Sequence, residues 1–583
     1  MTSRDDSIVS DLACLITAAI FALGLIVLLV RLRDVQVDDS ASYNYASSRQ
    51  SVRRVQTGGA RGRIFDREGR VLAENIASLS IVCDASPYQS KTWDETVAKM
   101  VRAVDELGAI IGRKSMLSER DIRRHVNQSL AMPLVVWRNL NEDELARFME
   151  SAYRFPAFSC EETEERTYPN GSLAAHLIGY VGKDRGEVEA GDEKFNFFLP
   201  EMRGRAGVEG YYDSFLRGVP GEKRVRVDAR GFAIEERTVV DAKRGPDLHL
   251  TIDARVQRAV ETQLKGVRGG SAVIDPRNGE ILALASSPTF DLNDFVPTLT
   301  QATYDALAKD PLKPLLNRAS GGLYTPGSIF KPITALAALR LGVPASHEYS
   351  CDGVFELGAL HLRCARRWGH GTLDMRHAIC ESCNPYFCDL GMEVGTNQLL
   401  SVAREFGLGS PTGVDLGADV AGVVPDGEWK MRTYREKWYP GDLAQMSIGQ
   451  GMLLVSPLQM ARAVGAIATG YLVTPHVKSD LHVMRTPIAF SAEQLQVVRD
   501  GMRMVVDTGG GMSAAEGLSV SVAGKTGTAE IGRGETRRKN AWFVAYAPIE
   551  NPTVAIAMVI ENGSSGGGTT APKVGAILRE IFK

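Results

Sequence analysis

The chain has 583 residues, 44% hydrophobic and 23% charged, enough apolar material for several packed cores, which excludes disordered, collagenous and low-complexity scaffolds. Lys and Arg number 67 against 70 Asp and Glu, a formal charge of −3, so no basic field points to nucleic acid. Eight cysteines are too sparse for a disulfide-stapled mini-fold, yet five of them fall between Cys351 and Cys388.

The first predicted element is apolar. Leu12 to Val30 runs 19 residues without a charge, about 28 Å as a helix and close to the thickness of a bilayer's hydrocarbon. Arg31-Leu32-Arg33 follows, not the small-residue site of a cleaved signal peptide. This predicts an uncleaved signal anchor at 12–30 behind a tail at 1–11. Arg4 is the tail's single basic residue, whereas Arg31, Arg33, Arg49, Arg53 and Arg54 follow the helix. Counted alone, that bias puts the C-terminal part in the cytoplasm, but the tendency is weak for large domains.

Residues 31 to about 60 are polar and Arg/Ser-rich and read as a stalk. Arg61 to Ala73 alternates apolar and polar residues around Glu68-Gly69, which predicts a hairpin. Apolar spacings of three and four predict helices over 92–154. Gly-rich strands and turns fill 168–232. No catalytic cluster lies in 31–245, so this region is expected to be a structural or partner-binding module; deleting 61–245 is expected to leave the serine chemistry largely possible but to destroy function in cells.

A boundary near Lys243-Arg-Gly-Pro246 opens the last domain, 246–583. A strand is predicted at Leu248–Asp253, a helix at Ala254–Val267, and a hairpin pairing 270–275 with 279–286 around Pro276-Arg-Asn-Gly279. Late strands are expected at 519–525, 541–547 and 553–560. The order predicts an α+β domain, a central antiparallel sheet flanked by helices.

The chemistry concentrates in three short motifs. Ser328-Ile-Phe-Lys331 stands at the start of a helical stretch, with Lys331 one turn beyond Ser328. A serine hydroxyl needs a base, and a lysine can serve only if its surroundings depress its pKa. Ser382-Cys383-Asn384 lies 54 residues after Ser328, and Lys525-Thr526-Gly527-Thr528 lies 143 residues after Ser382. Any one of these patterns arises by chance; S-x-x-K, S-x-N and K-T-G in that order are the signature of β-lactamases and penicillin-binding proteins.

With R-G-x-I-x-D-R-x-G-x-x-L-A at 61–73, R-x-Y-P at 166–169, G-V-E-G-Y-Y-D at 207–213, S-I-G-Q-G at 447–451 and N-A-W-F-V-A-Y-A-P at 540–548, the chain resembles a class B penicillin-binding protein. Gly369-His-Gly371 and Ser-Cys-Asn-Pro-Tyr-Phe at 382–387 resemble its elongation branch, penicillin-binding protein 2. The resemblance implies a transpeptidase domain on an elongated pedestal or dimerisation-type domain. It implies peptidoglycan D,D-transpeptidation during elongation and shape maintenance, with the catalytic domain outside the cytoplasmic membrane. Ser328 would attack a D-Ala-D-Ala stem peptide, Lys331 would be general base and Ser382 would relay the proton. Asn384 would bind the substrate amide. Lys525, Thr526, Gly527 and Thr528 would receive its carboxylate. Backbone N–H groups of Ser328 and Thr528 would form the oxyanion hole. β-Lactams would trap the serine, and a membrane glycan polymerase with elongation-complex proteins would be partners.

Two other classes stay open: a β-lactamase, which needs neither anchor nor preface, and a membrane-anchored β-lactam sensor, for which the leading tail is a short effector. No cofactor is needed for the chemistry. The resemblance also implies a structural Zn²⁺ near S-x-N, held here by Cys351, Cys364, His370 and Cys383; thiolates with one imidazole suit that ion. The alternative is a Cys351–Cys364 disulfide, or free buried thiols at Cys380 and Cys388.

Overall fold

The computed structural model describes residues 5–43, 51–184, 196–198, 201–481, 484–532 and 538–583. Helix α1 (Asp5–Arg33) contains the apolar run, and its described side chains lie against no other part of the chain. It is the one helix among the described residues long and apolar enough to cross a membrane.

The stalk reading fails from Val52 onward. Strand β1 (Val52–Thr57) is paired along its length with β6 (Gly221–Val227), which also pairs with β7 (Ala233–Val240). Val55 and Val225 face inward while the arginines beside them stay at the surface. An Arg-rich run thus forms a strand, because Val55 is buried and the partner strand pairs with every one of its residues.

The hairpin at 61–73 forms as expected. Strand β2 (Ile64–Phe65) turns at Asp66–Gly69 into β3 (Val71–Cys83). Asp66 fixes the turn by accepting from the amides of Glu68 and Arg70. Strand β3 pairs with β4 (Leu134–Trp137) and β5 (Phe158–Thr167). Helices α2 (Trp93–Ile111), α3 (Glu119–Gln128) and α4 (Glu142–Ser151) fill the predicted helical region, each N-capped by the side chain of Thr92, Ser118 or Asn141.

The predicted strand at 248–253 is shorter. Only β8 (Leu248–His249) forms, and it pairs with β2 of the pedestal rather than with the catalytic sheet. The core is shared as well. Ile64, Leu72, Tyr168, Leu177 and Val208 pack in one continuous cluster with Leu250, Ile274 and Leu284. The outer pedestal, with Met100, Leu107, Trp137 and Phe158, has a large core of its own. The module is therefore not separable at residue 245. Its removal would open an apolar face of the catalytic domain.

In the catalytic domain, helix α5 (Ala254–Leu264) precedes the predicted hairpin, β9 (Gly269–Ile274) and β10 (Ile281–Ser287). The sheet runs β10-β9-β17-β16-β15, antiparallel throughout, with β15 (Ala523–Ile531), β16 (Arg538–Ala547) and β17 (Val554–Glu561). Strand β15 begins four residues later than expected. Its partner β16 ends at Ala547, and Pro548 has no N–H to extend the ladder. β15 is the outer edge, and it carries K-T-G.

Candidate active site

The serine turn is set by its neighbours. Gly327–Phe330 is a 3₁₀ turn running straight into helix α6 (Lys331–Arg340), so Ser328 sits one tight turn before the helix rather than on its first residue. The turn is clamped from behind: the Gly327 N–H donates to the Gly449 carbonyl at 2.8 Å. A Cβ at Gly449 would lie 2.1 Å from the Gly327 oxygen, and one at Gly327 would meet the Thr528 carbonyl at 3.0 Å. Both glycines also hold positive φ. The S-I-G-Q-G segment is thus the rear wall of the nucleophile, with Gln450 Nε2 reaching the Thr528 carbonyl at 3.5 Å. This role is not legible in the sequence alone.

S-x-N comes from a break between two helices. Helix α7 (Met375–Glu381) ends at Ser382, which sits at φ 55°, and helix α8 starts at Asn384 (Asn384–Val394). A left-handed serine is uncommon and costs roughly 1–3 kcal/mol; here it turns the hydroxyl and carbonyl of Ser382 toward the two lysines.

Lys331 is fully buried. Its amine donates to the Ser382 carbonyl at 2.6 Å, to Asn384 Oδ1 at 2.7 Å and to Ser382 Oγ at 3.3 Å. Lys525, also fully buried, donates to Ser382 Oγ at 2.9 Å and to the Thr526 carbonyl at 3.1 Å. No carboxylate pairs with either lysine among the described residues; their partners are hydroxyl, amide and main-chain oxygens. Burial, opposed by nearby thiols, brings Lys331 down to about 8. Burial and then the Lys331 charge bring Lys525 well below its ordinary range. The two amines converge on one hydroxyl, that of Ser382, and a shared proton network follows from this arrangement.

The structure therefore brings Lys331, Ser382, Asn384 and Lys525 together. The Ser328 and Thr526 side chains form no hydrogen bond among the described residues, while Thr528 Oγ1 accepts from the Gly566 N–H at 3.3 Å. A residue not anticipated is Arg363, whose carbonyl accepts from Asn384 Nδ2 at 2.8 Å and so fixes the side-chain amide.

Behind S-x-N, the donor atoms of Cys351, Cys364, His370 and Cys383 lie within 4.8 Å of one another. His370 Nδ1 is 3.3 Å from Cys364 Sγ and 3.8 Å from Cys351 Sγ, and the Cys364 and Cys383 sulfurs are 4.0 Å apart. Ligands about 2.0–2.3 Å from a tetrahedral ion stand roughly 3.5–3.8 Å from each other, so the set fits zinc. The other imidazole nitrogen faces Glu381 at 3.6 Å, the kind of outer partner that orients a ligating histidine. A hydrogen bond from the Cys383 thiol lowers the pKa of Cys364 and raises that of Cys383. The alternative disulfide is not formed; all eight cysteines are free thiols, with Cys380 and Cys388 buried.

Comparison with known proteins places the chain in a family. Residues 269–583 match the penicillin binding protein transpeptidase domain, and residues 56–250 the penicillin-binding protein dimerisation domain. The chain is 34% identical to the peptidoglycan D,D-transpeptidase MrdA of Acinetobacter baumannii, over 94% of this chain and 85% of that relative. It is 31% identical to the MrdA of Escherichia coli K12, over 95% and 91%. Among solved structures, penicillin-binding protein PBP2 of Helicobacter pylori in complex with MreC aligns with a TM-score of 0.77 at 27% identity, covering 91% of this chain and 98% of that one. A chain from a peptidoglycan synthase complex that coordinates polymerization and crosslinking aligns at 0.73, again at 27% identity, covering 98% of each. By sequence, domain order and fold together, the chain belongs to the penicillin-binding protein transpeptidases, in the branch of penicillin-binding protein 2.

Proposed function

We infer that the protein is a serine-type peptidoglycan D,D-transpeptidase of the elongation machinery, and that it binds penicillin covalently. The observation that carries this is the meeting of two buried, carboxylate-free lysines on Ser382 beside the serine turn. In the assigned roles, neutral Lys331 takes the Ser328 hydroxyl proton, directly or through Ser382, as Oγ adds to the penultimate D-Ala carbonyl. The oxyanion rests on the N–H groups of Ser328 and Thr528. The proton passes to the leaving D-Ala nitrogen. An amine of a second stem then attacks the acyl-enzyme, and its proton returns by the same path. Asn384 holds the substrate amide; Lys525, Thr526, Gly527 and Thr528 receive the terminal carboxylate.

Labelled penicillin tests this directly. The full chain should be modified on Ser328 and the Ser328→Ala variant should stay unlabelled; full labelling of that variant would overturn the assignment.

We assign the membrane span to 12–30, the pedestal to 31–245 and the catalytic domain to 246–583, the last on the outer side of the cytoplasmic membrane, where cross-linking takes place. The apolar helix and the two matched regions support this division. A C-terminal reporter active only in the cytoplasm would refute the topology. The pedestal carries a cleft of about 670 Å³ lined by Val55, Met132, Val225, Arg138 and Lys183, a surface suited to elongation-complex proteins and a glycan polymerase.

Cys351, Cys364, His370 and Cys383 would hold a structural Zn²⁺, which would supply rigidity to the segment bearing Ser382 and no step of the reaction. Purified protein should contain about one zinc per chain, lost in a His370→Ala, Cys383→Ser variant; metal-free protein of full stability would rule it out.

A further inference from the structure

The segment Val354–His370 stands over S-x-N as an arm. Strands β12 (Val354–Leu357) and β13 (Leu360–Arg363) form its hairpin, with Leu360 and Leu362 turned toward the core and His361 and Arg363 outward. The Arg363 carbonyl accepts from Asn384 Nδ2, and Asn384 Oδ1 accepts from the Lys331 amine, so the arm is two hydrogen bonds from the proposed base. Three guanidiniums follow in close order. Arg366 faces Glu381 at 3.9 Å. Arg363 and Arg367 are exposed and have no carboxylate partner among the described residues, and Arg367 lies 5.3 Å over the ring of Trp368, itself 85% exposed. Two unpaired cations and a bare indole beside a reaction site are a surface awaiting an anionic, partly apolar ligand.

Resting on the assigned reaction, the direction of the substrate follows. Its terminal carboxylate goes to K-T-G on β15 and its penultimate amide to Asn384, so the upstream residues leave past Asn384, onto the arm. Each extended residue advances roughly 3.3 Å, which puts a side-chain carboxylate one or two residues upstream within reach of an arginine. We propose that Arg363 and Arg367, with Trp368 as an apolar rest, select donor peptides that carry a free carboxylate just upstream of D-Ala-D-Ala. They are specificity residues and take no part in bond making.

The test uses the full chain in detergent and two peptides ending in D-Ala-D-Ala, one with a free carboxylate at the residue before the penultimate D-Ala and one amidated there. The carboxylate peptide should be preferred about fivefold in kcat/KM, through KM, as expected for two solvent-exposed charge contacts. The preference should shrink between 0.05 and 0.5 M salt, vanish in Arg363→Gln, Arg367→Gln and return in part with lysine at both positions. A wild-type enzyme with no preference, a preference indifferent to salt, or one that survives the double Gln variant would overturn the proposal. Penicillin labelling of wild-type Ser328 separates the two levels: failure to label removes the transpeptidase assignment, whereas labelling without discrimination removes only the role of the arm.

Discussion

Buried charge is used in opposite ways in the pedestal and the catalytic domain. At the pedestal base, the buried Glu209 carboxylate accepts from Arg61 at 2.8 Å, from Arg166 at 2.7 Å and from Tyr168 at 3.3 Å. Arg61 also reaches Asp213 at 2.6 Å. Every buried charge there faces an opposite one, and the sum is a joint. In the catalytic domain Lys331 and Lys525 are as deeply buried and face only neutral oxygens. A paired buried charge keeps its ordinary state, whereas an unpaired one must give up its proton to be comfortable. The first arrangement holds elements together; the second stores a base.

The strongest way to break this contrast is to remove the unpaired charge. Lys331→Met keeps the volume and deletes the amine. Acylation by labelled penicillin should fall by about 10²–10⁴-fold, while unfolding stability shifts by less than about 2 kcal/mol, because the lost hydrogen bonds offset the relief of a buried cation. A large stability loss with acylation intact would mean that Lys331 is structural. The reverse pattern is expected in the pedestal. Glu209→Gln leaves the buried Arg166 guanidinium uncompensated and Arg61 with Asp213 alone, and should cost about 3–5 kcal/mol in denaturant unfolding, with acylation per folded molecule retained. A selective loss of acylation there would join the two regions into one catalytic unit.

A gentler probe is pH. Burial holds Lys331 near 8 against an ordinary 10.5, so the neutral base is present above about 8 and lost below it. The acylation rate should climb about tenfold per pH unit up to that point and then level. Between about pH 8 and 10.5 the unfolded chain binds a proton here that the folded chain does not. Stability from this site therefore rises with pH across that window and is least favourable below it. A flat acylation profile from pH 6 to 9 would exclude Lys331 as the base.

The three motifs were legible because their chemistry is local: S-x-x-K needs one helical turn, and K-T-G needs one strand. The partners of Lys331 were not. Its hydrogen bonds go to Ser382 and Asn384 rather than to Ser328, which depends on a left-handed Ser382 that no spacing announces. The cysteine cluster was legible as residue types, but that four donors spread from Cys351 to Cys383 meet within 4.8 Å is a fact of folding. Two misreadings share a cause. Val52–Thr57 reads as stalk because it lies in a polar, Arg/Ser-rich run, and the pedestal reads as separable because it carries no catalytic cluster. In both cases long-range pairing decided, β1 with β6 and the shared core across the boundary.

The serine turn is held from behind by main chain rather than by side chains. Gly449 abuts Gly327 closely enough to leave no room for a methyl group, and Gly327 in turn abuts Thr528. No rotamer can be exchanged there to open or soften the slot, and mutation has few small steps to offer. Variants selected for altered β-lactam susceptibility should therefore accumulate at the rim, in the exposed arm around Arg363–Trp368, where side chains project freely and change is cheap. Deep sequencing of a library selected under β-lactam pressure would check this: substitutions enriched at Gly327 or Gly449 over those in the arm would count against it. The protein would then be evolvable in what it admits and conservative in what it does.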